Sequence, residues 1–330
     1  MRLFITGGTG FFGKAVLRYL LAHNTLYLDG LPDEVVVLTR SSERFINEYI
    51  EFSELPWLRF HVGDIEDLSS LPKGEKYTHV LHAAADSTNG AHLSPLQRYD
   101  QIVNGTRNLL DFAVASGADR FLFTSSGAVY GTQPDHLDRI PEDWNGIPDP
   151  LNAGNSYGIA KRSAEHLCAL YGNQFGLNTI IARCFAFVGQ DLPLDAHFAI
   201  GNFIRDALWG NEIIVNGDGT PQRSYLDQED LAHWLFTLLE KGVAAQAYNV
   251  GSDQSITITK LAHLVRDIVA PDKPVCILGG STGNKDRNIY VPNINRVRTE
   301  LNLDVKISLE DSIRKTAQIS CRRIRKEIYK

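Results

Sequence analysis

The sequence lacks the features that mark several classes of protein. Its four cysteines form no C-x-x-C pair and have no histidine near them at the spacing of a metal site (Cys168, Cys184, Cys276 and Cys321). No apolar run approaches the ~18 residues that cross a membrane, and a strand pattern begins too early to leave room for a secretory signal peptide. We therefore expect a soluble, cytoplasmic protein with reduced thiols and no metal site.

Positive charge is not in excess either. The 330 residues include 33 Lys and Arg against 39 Asp and Glu, and the formal net charge is −6. Without a broad cationic surface, neither a nucleic-acid backbone nor an anionic membrane is an expected partner. The basic tail CRRIRKEIYK, residues 321–330, is interpreted as a solvated helix end rather than as an anion-binding patch.

Short β-rich runs alternate with helical patterns through the first half of the chain. The strand patterns are RLFIT, EVVVLT, LRFHVGD, HVLHAAA, RFLFTSS and TIIARCF, with helical patterns such as FGKAVLRYLLAH and VNGTRNLLDFAVASG between them. Strand and helix at this spacing indicate right-handed βαβ crossovers. The predicted fold class is therefore α/β, with a Rossmann-like doubly wound parallel sheet.

The alternation breaks near residue 187, which indicates a second lobe. EIIVNGDGTPQRSYL, residues 212–226, is predicted to form a hairpin, and YNVGS, residues 248–252, to return a strand to the main sheet. We place a cofactor-binding domain at residues 1–186, with returning segments near 225–255. A smaller, interrupted α/β lobe that binds the substrate is placed at residues 187–224 and 256–330.

Four glycines stand among seven residues between the first strand and the first helix, in GGTGFFG at residues 7–13. They match G-x-G-x-x-G as Gly8, Gly10 and Gly13, and G-x-x-G-x-x-G as Gly7, Gly10 and Gly13. A turn with positive φ, a backbone close to a pyrophosphate and a helix packed near its strand all exclude a Cβ atom. Because the following helix attracts phosphate at its N-terminus, the pattern predicts a dinucleotide site. The alternative is a glycine-rich turn with no ligand.

The end of the second strand favours NADP(H) over NAD(H). An NAD site usually carries an acid there for the ribose 2′-hydroxyl, whereas VVVLTRSSER has Thr39, Arg40 and Ser41. The nearby acids, Asp33 and Glu34, precede the strand and belong to its other end. An arginine fork beside hydroxyls suits a 2′-phosphate. The alternative is an exposed loop arginine with no ligand.

Tyr157 and Lys161, in YGIAK, are four residues apart on a predicted helix and therefore lie on one face. A phenol with a pKa near 10 transfers protons poorly at neutral pH, but an adjacent ammonium favours the phenolate and lowers that pKa. Tyr157 can then exchange a proton with a substrate oxygen, which a serine of TSSGAVYG at a strand end can hold. The alternative is an ordinary pair on a helix surface.

Together these motifs resemble the extended short-chain dehydrogenase/reductase family of nucleotide-sugar epimerases, dehydratases and reductases, over nearly the whole chain to about residue 318. TGGTGFFG is similar to the family's cofactor turn, GDI to the segment with its adenine-side acid, and HAAA to the strand end under the cofactor. VNGTRNLL is similar to its asparagine-bearing helix, with Asn104 in the structural role. The resemblance implies a catalytic triad of Ser126, Tyr157 and Lys161, and a homodimer.

The resemblance also implies two sets of binding residues. Those for the cofactor are Gly7, Gly10, Phe11, Phe12, Gly13, Arg40, Ser41, Asp64, Ile65, Ala83, Ala84, Asn104 and Lys161. Those for the substrate are Ser125, Ser126, Tyr157, Arg223 and Arg287, of which the two arginines would meet the phosphates of a nucleotide sugar.

Two departures from the family's pattern narrow the reaction. Gly127 and Ala128 stand where the family's 4,6-dehydratases carry an Asp-Glu pair, and because neither can move a proton, 4,6-dehydration is disfavoured. Ala186 replaces an asparagine that commonly touches the substrate. The leading hypothesis is an NADP(H)-dependent 4-ketoreductase of a nucleotide-linked (deoxy)hexose. The alternatives are a C4 epimerase that uses the same three residues, and a non-catalytic NADP-sensing or scaffold protein on this fold.

Overall fold

The computed structural model describes residues 1–24, 32–84, 93–196, 198–279 and 289–328. Its strands are β1 (Arg2–Thr6), β2 (Glu34–Thr39), β3 (Leu58–Val62), β4 (His79–His82), β5 (Arg120–Ser126), β6 (Asn178–Cys184), β7 (Phe187–Val188), β8 (Ile213–Val215), β9 (Gln222–Arg223), β10 (Leu226–Asp227), β11 (Gln246–Val250), β12 (Ile256–Thr257), β13 (Val275–Ile277) and β14 (Ile289–Tyr290). Its helices are α1 (Phe11–Asn24), α2 (Ser42–Glu48), α3 (Pro95–Ser116), α4 (Ser156–Phe175), α5 (Ala199–Trp209), α6 (Gln228–Lys241), α7 (Ile258–Val269), α8 (Asn295–Leu301) and α9 (Leu309–Ile328).

Seven strands form the central sheet, in the order β11-β6-β5-β4-β1-β2-β3. Strands β1 to β6 pair in parallel, with Phe4 of β1 opposite both Val36 of β2 and Val80 of β4. This order is the doubly wound arrangement of a Rossmann-like fold, so the predicted fold class is confirmed, as is the returning strand at β11. The strand order reverses between β1 and β4, and ligands of such sheets bind beyond the carboxyl ends of the strands at that point.

Local sequence signals explain where the main elements start and stop. Residues 3–5 and 35–37 have no exposed surface, which is why β1 and β2 consist of nearly continuous apolar runs. Helix α3 begins at a capping box, in which Ser94 and Gln97 each accept a backbone N–H of the other. It ends at Gly117, whose φ of 75° lies in the left-handed region that glycine adopts without steric cost.

The chain divides into two units. The first comprises Met1–Gly131, Ile147–Cys184 and Ala232–Tyr248, and the second comprises Thr132–Gly146, Phe185–Leu231 and Asn249–Lys330. The sequence pattern assigns Thr132–Gly146 to the cofactor-binding domain. The structure instead joins it to the second unit through Ile140, whose N–H donates to Val291 at 2.9 Å and whose carbonyl accepts the N–H of Asn293 at 2.8 Å.

The second unit holds three small sheets, β10-β7, β12-β9-β14 and β13-β8. The hairpin predicted for residues 212–226 is wrong, because β8 pairs in parallel with β13 while β9 pairs with β12 and β14. Each strand finds a partner much later in the chain, which no local pattern specifies. Helices α5, α7 and α9 share one apolar cluster in this unit. Among the described residues, no helix is both long and apolar enough to span a membrane.

Candidate active site

The glycine turn joins β1 to α1 at the point where the strand order reverses. Gly7 has a φ of 70°, and a Cβ atom there would lie 2.4 Å from the carbonyl oxygen of Ala83, at the end of β4. A Cβ atom on Gly13 would lie 2.1 Å from the Cα of Gly8. These two positions therefore require glycine because the backbone segments around them are in direct contact.

Gly10 differs from its neighbours, because a Cβ atom there would meet only the carbonyl oxygen of Gly7, at 3.3 Å. Gly10 is exposed and stands immediately before Phe11, the first residue of α1. The first turn of a helix directs backbone N–H groups beyond its N-terminus, where they attract phosphate. A side chain at Gly10 would occupy this approach, so the turn fits the pyrophosphate of a dinucleotide.

Other residues expected at the cofactor lie after the carboxyl ends of strands in the same sheet. Ala83 and Ala84 are half-buried, and their N–H groups donate to the carbonyl and the hydroxyl oxygen of Thr6, at 3.1 and 3.3 Å. Asp64 follows β3, and its Oδ1 accepts the N–H of Glu66 at 3.0 Å. The expected contacts therefore lie beyond the carboxyl ends of β1, β3 and β4.

Helix α3 supports the loop after β3. Ile65 is buried, and a Cβ atom on Gly105 would lie 2.8 Å from its Cδ1 atom. The carbonyl of Ile65 accepts a hydrogen bond from Nδ2 of Asn108 at 2.9 Å, whereas Asn104, one turn earlier, is exposed. The structural amide that joins this loop to the helix is thus Asn108, a residue that the family resemblance did not indicate.

The carboxyl end of β2 is open. Arg40 and Ser41 are exposed, and within the described ranges Arg40 makes no hydrogen bond or ion pair. Glu34 lies at the opposite end of β2, where it pairs with Arg2 and Arg59. The carboxylate of Glu34, the acidic residue of β2 itself, is therefore held at the end of the strand away from the candidate site.

Lys161 is the charged residue of the expected triad, and it is also the most buried of the three. It is 2% exposed, and its Nζ donates to the carbonyl of Thr124 on β5 at 2.8 Å. The same Nζ lies 4.7 Å from the ring centroid of Phe123 and 5.9 Å from that of Tyr157. Burial disfavours the ammonium and lowers the pKa of Lys161 to about 8. A cation held beneath a phenol ring favours the phenolate.

The serines of β5 have different surroundings. Ser126 ends the strand, is 8% exposed, and accepts the N–H of Ala128 through its Oγ at 3.2 Å. Ser125 is turned to Glu165, to which its hydroxyl donates at 2.5 Å. The structure thus places Ser126, Tyr157 and Lys161 on β5 and α4 of the first unit, with Ser125 bonded to the helix beside them.

An ion pair between Glu165 and Arg183, whose side chains are only 11% and 14% exposed, links α4 to β6. Arg183 donates from Nε and NH2 to the two oxygens of Glu165, at 3.0 and 2.8 Å, and from NH1 to the hydroxyl of Tyr130 at 2.9 Å. Burial alone would lower the pKa of Arg183, but the Glu165 carboxylate raises it instead. Glu165 follows Lys161 by four residues, so it lies on the same face of α4. That spacing is the signal from which sequence reasoning could have found it.

The second unit contains the remaining substrate residue that can be described. Arg223 lies on β9, between β12 and β14, and its NH1 donates to the carbonyl of Gln222 at 2.7 Å. A cavity of about 390 Å³ in this unit is lined by α5, β8 and the GDG turn at residues 217–219. Arg287 lies outside the described residues. No cluster of metal-ligating side chains occurs in the part of the chain that the structure describes.

Comparison with known proteins identifies the family. UDP-glucuronic acid decarboxylase 1 of Arabidopsis thaliana is 26% identical over 314 residues, which cover 95% of this chain and 68% of that protein. The dTDP-glucose 4,6-dehydratase DesIV of Streptomyces venezuelae, solved with NAD and TYD bound, superposes with a TM-score of 0.83 and 25% identity over 98% of this chain and 97% of its own.

A further similar structure is that of RMD from Pseudomonas aeruginosa complexed with NADPH. Its TM-score is 0.76 at 25% identity, covering 98% of this chain and all of that chain. A family model, described as the NAD dependent epimerase/dehydratase family, matches residues 3–251. The glycine turn, the Tyr157–Lys161 pair and the sheet order all lie within that match. The chain belongs to the NAD dependent epimerase/dehydratase family.

Proposed function

We propose that the protein is an NADP(H)-dependent oxidoreductase that acts at C4 of a nucleotide-linked deoxyhexose, as a 4-ketoreductase. The observation that carries this proposal is the placement of Lys161 below the ring of Tyr157, with Ser126 at the end of the adjoining strand. Such a set can hold a carbonyl oxygen and deliver a proton to it. The exposed Gly10 turn, on the same unit, fits the phosphates of the cofactor.

The residues of this chain divide the reduction among them. A bound NADPH supplies hydride to the C4 carbon. The Tyr157 hydroxyl gives its proton to the C4 oxygen, so that the ketone becomes an alcohol. Ser126 holds that oxygen by a hydrogen bond, and the Lys161 ammonium stabilises the phenolate left on Tyr157. Thr124 holds Lys161 in place through its carbonyl.

The residues after Ser126 favour reduction over dehydration. Gly127 and Ala128 form a buried turn at the end of β5, and neither side chain can accept or donate a proton. Water loss from a sugar needs an acid and a base at neighbouring carbons. This chain therefore has the residues needed for proton transfer at C4, but it has no acid and base at positions 127 and 128 that could eliminate water. The comparison with DesIV supports the fold and the family rather than its reaction.

The open end of β2 supports NADP(H) as the cofactor. Arg40 and Ser41 are exposed beyond that strand, and the carboxylate of Glu34 is paired at the other end. A 2′-phosphate would meet a guanidinium and a hydroxyl there, whereas a 2′-hydroxyl would find no carboxylate in this loop. The similar structures include one with NAD and one with NADPH, so a nicotinamide cofactor accords with both.

Features of the second unit suit the diphosphate of a nucleotide sugar as a ligand. The relatives act on UDP- and dTDP-linked sugars by their names. Arg223 supplies a guanidinium on β9, and its unit contains the cavity beside the GDG turn. Arg287 is proposed as the second arginine on the phosphates from the family resemblance.

A C4 epimerase is the second candidate, favoured by the family match. The same Ser126, Tyr157 and Lys161 would then remove a proton from the C4 hydroxyl and return it after the ketone has rotated to present its other face. The two reactions differ in net cofactor consumption, because an epimerase regenerates its cofactor in each turnover and a reductase consumes it.

The proposal is tested by mixing the purified protein with NADPH and a panel of nucleotide-linked 4-keto-6-deoxy sugars. We expect a loss of nicotinamide absorbance that equals the alcohol formed. A parallel assay with NADP⁺ and nucleotide-linked hexoses that carry a C4 hydroxyl tests the second candidate, and interconversion of C4 epimers without net reduction of the cofactor would establish it instead. No reaction with any sugar of the panel in either assay would overturn both.

A further inference from the structure

His82 is a buried histidine that the proposed chemistry does not use. It is the last residue of β4 and is 1% exposed. Its Nδ1 lies 2.8 Å from the hydroxyl oxygen of Thr6, the last residue of β1, and its Nε2 lies 3.1 Å from the hydroxyl oxygen of Thr106 on α3. The ring therefore bridges β1 and α3 at the point where the strand order reverses.

The hydrogen bonds around the ring have a fixed direction. The hydroxyl of Thr106 has one proton, which it donates to the carbonyl of Ile102 at 2.6 Å, so it accepts from Nε2–H of His82. In a neutral ring Nδ1 then accepts the proton of the Thr6 hydroxyl. Burial, and secondarily the charge of Lys161, lower the pKa of His82 well below its ordinary value. The ring is thus neutral, with its proton on Nε2.

Thr6 transmits this orientation to the backbone of the candidate cofactor site. Its hydroxyl oxygen accepts the N–H of Ala84 at 3.3 Å, while its carbonyl accepts the N–H of Ala83 at 3.1 Å. Thr6 also precedes Gly7, which approaches Ala83 so closely that a Cβ atom would not fit. The Thr6 hydroxyl therefore adds a side-chain hydrogen bond to the backbone pairing that joins the ends of β1 and β4.

A second branch leads from His82 to the catalytic lysine. The carbonyl of His82 accepts a hydrogen bond from the hydroxyl of Thr124 at 3.1 Å. The carbonyl of Thr124 in turn accepts Nζ of Lys161 at 2.8 Å. His82 thus connects the end of β4, beside the glycine turn, with Thr124, whose carbonyl holds Lys161.

We propose that His82 is a positioning residue, whose neutral Nε2–H ring fixes the Thr6 hydroxyl and so holds Gly7 and Ala84 at the spacing that binds the nicotinamide cofactor. It transfers no proton. The inference rests on the proposed cofactor site, and it adds to that site a hydrogen-bonded layer beneath the residues that touch the ligand.

The test compares three variants for cofactor affinity and thermal stability. Thr106→Val keeps the shape of threonine but leaves Nε2–H without its acceptor, and we expect the dissociation constant of NADPH to rise about ten-fold. Thr106→Ser retains the hydroxyl, and its dissociation constant for NADPH should stay within about two-fold of that of the wild type. Thr237→Val is the matched control, because it removes the same hydroxyl-to-carbonyl bond, of 2.8 Å to His233, from helix α6. We expect it to leave the affinity unchanged.

A double-mutant cycle keeps the test valid if one variant folds poorly. Thr6→Val removes the other partner of the ring, and it should weaken NADPH binding to a similar extent. If both act through His82, the double variant with Thr106→Val binds about as well as the weaker single variant. Fully additive losses would contradict the role of the ring.

Nitrogen-15 spectra of labelled histidine provide a readout that needs no cofactor, with His82 assigned by the loss of its signals in His82→Gln. We expect the Nε2–H form, still neutral at the pH where an exposed histidine becomes protonated. A proton on Nδ1, or a ring that titrates like an exposed histidine, would overturn the inference. Unchanged NADPH affinity in a folded Thr106→Val would overturn the role of His82 but not the proposed function. A wild type that binds neither NADPH nor NADH would overturn both.

Discussion

The two ends of the candidate site differ in how firmly the protein holds their cations. At the carboxyl end of β5, Lys161 is buried, bonded to Thr124, and backed by the ion pair of Glu165 with Arg183. At the carboxyl end of β2, Arg40 is exposed and makes no hydrogen bond or ion pair within the described ranges. The position of Lys161 is therefore set by the protein, and that of Arg40 would be set by a ligand.

This difference separates two kinds of contribution. A group that is fixed before the substrate arrives acts on the reaction itself, because no ordering is needed when charge develops. An exposed arginine must lose conformational freedom on binding, so its net contribution to affinity is smaller. We therefore expect substitutions at the buried end to change turnover and folding, and substitutions at exposed arginines to change affinity and selectivity.

The largest effect is expected for Tyr157→Phe. Loss of the proton donor should lower kcat by on the order of 10²- to 10⁴-fold, with NADPH affinity unchanged because the ring remains in its place. Steady-state kinetics and NADPH titration measure the two quantities. Tyr19→Phe is the control, since it removes a hydroxyl that lies 3.2 Å from Nδ1 of His233 on α6. Near-wild-type turnover in Tyr157→Phe would remove this residue from the mechanism.

The burial of Lys161 should be visible in the pH dependence of stability. Its pKa is lowered from 10.5 to about 8, so between these pH values the unfolded chain binds more protons than the folded one. The destabilisation present below pH 8 is relieved as the pH rises through this window, by about 3 kcal/mol.

The comparison that isolates this effect is with Lys161→Met. The free energy of unfolding of the wild type, relative to that variant, should increase by about 3 kcal/mol from pH 8 to pH 10.5. Denaturant titrations at a series of pH values measure it. A difference that is constant across the window would show that the Lys161 ammonium is not desolvated in the folded protein.

Arg223→Ala probes an arginine of the second unit. We expect nucleotide-sugar affinity to fall about ten-fold, since a charge-assisted hydrogen bond to phosphate is lost, while NADPH affinity stays unchanged. Arg223→Lys should recover only part of the loss because a single ammonium lacks the guanidinium fork. Arg314→Ala, on the exposed face of α9, serves as the control in calorimetric titrations. Equal affinity in Arg223→Ala and the wild type would place the diphosphate elsewhere.

The smallest effect is expected for Arg40→Ala. The preference of the protein for NADPH over NADH should shrink about five-fold, as one exposed contact to the 2′-phosphate disappears. Paired fluorescence titrations with the two cofactors measure the ratio, with Arg322→Ala on α9 as the control. A wild type without any preference for NADPH would refute the assignment of this loop.

Periodic and local signals in the sequence were sufficient for much of the fold. The strands of the first unit follow apolar runs, and the glycine turn follows β1 as predicted because its backbone contacts are local or involve the adjacent strand. Tyr157 and Lys161 share a face of α4 since their spacing is that of one helical turn.

Contacts between distant segments were not predictable in the same way. The residues 132–146 join the second unit through hydrogen bonds of Ile140 to residues 291 and 293, and β8 pairs with β13 across more than sixty residues of chain. The ring of His82 is connected to Thr6 and Thr106 only after β1, β4 and α3 are packed. No pattern within one segment specifies such partners.

The proposed function depends on net reduction at C4 by a hydride that comes from NADPH. Its most direct test uses NADPH deuterated at the transferring position of the nicotinamide, a nucleotide-linked 4-keto-6-deoxy sugar, and mass and NMR analysis of the product. We expect one deuterium at C4 of the product alcohol for each NADPH consumed, and almost no product from Tyr157→Phe in the same time. A product that carries hydrogen at C4 while NADPH is preserved, or deuterium at any other carbon, would contradict it.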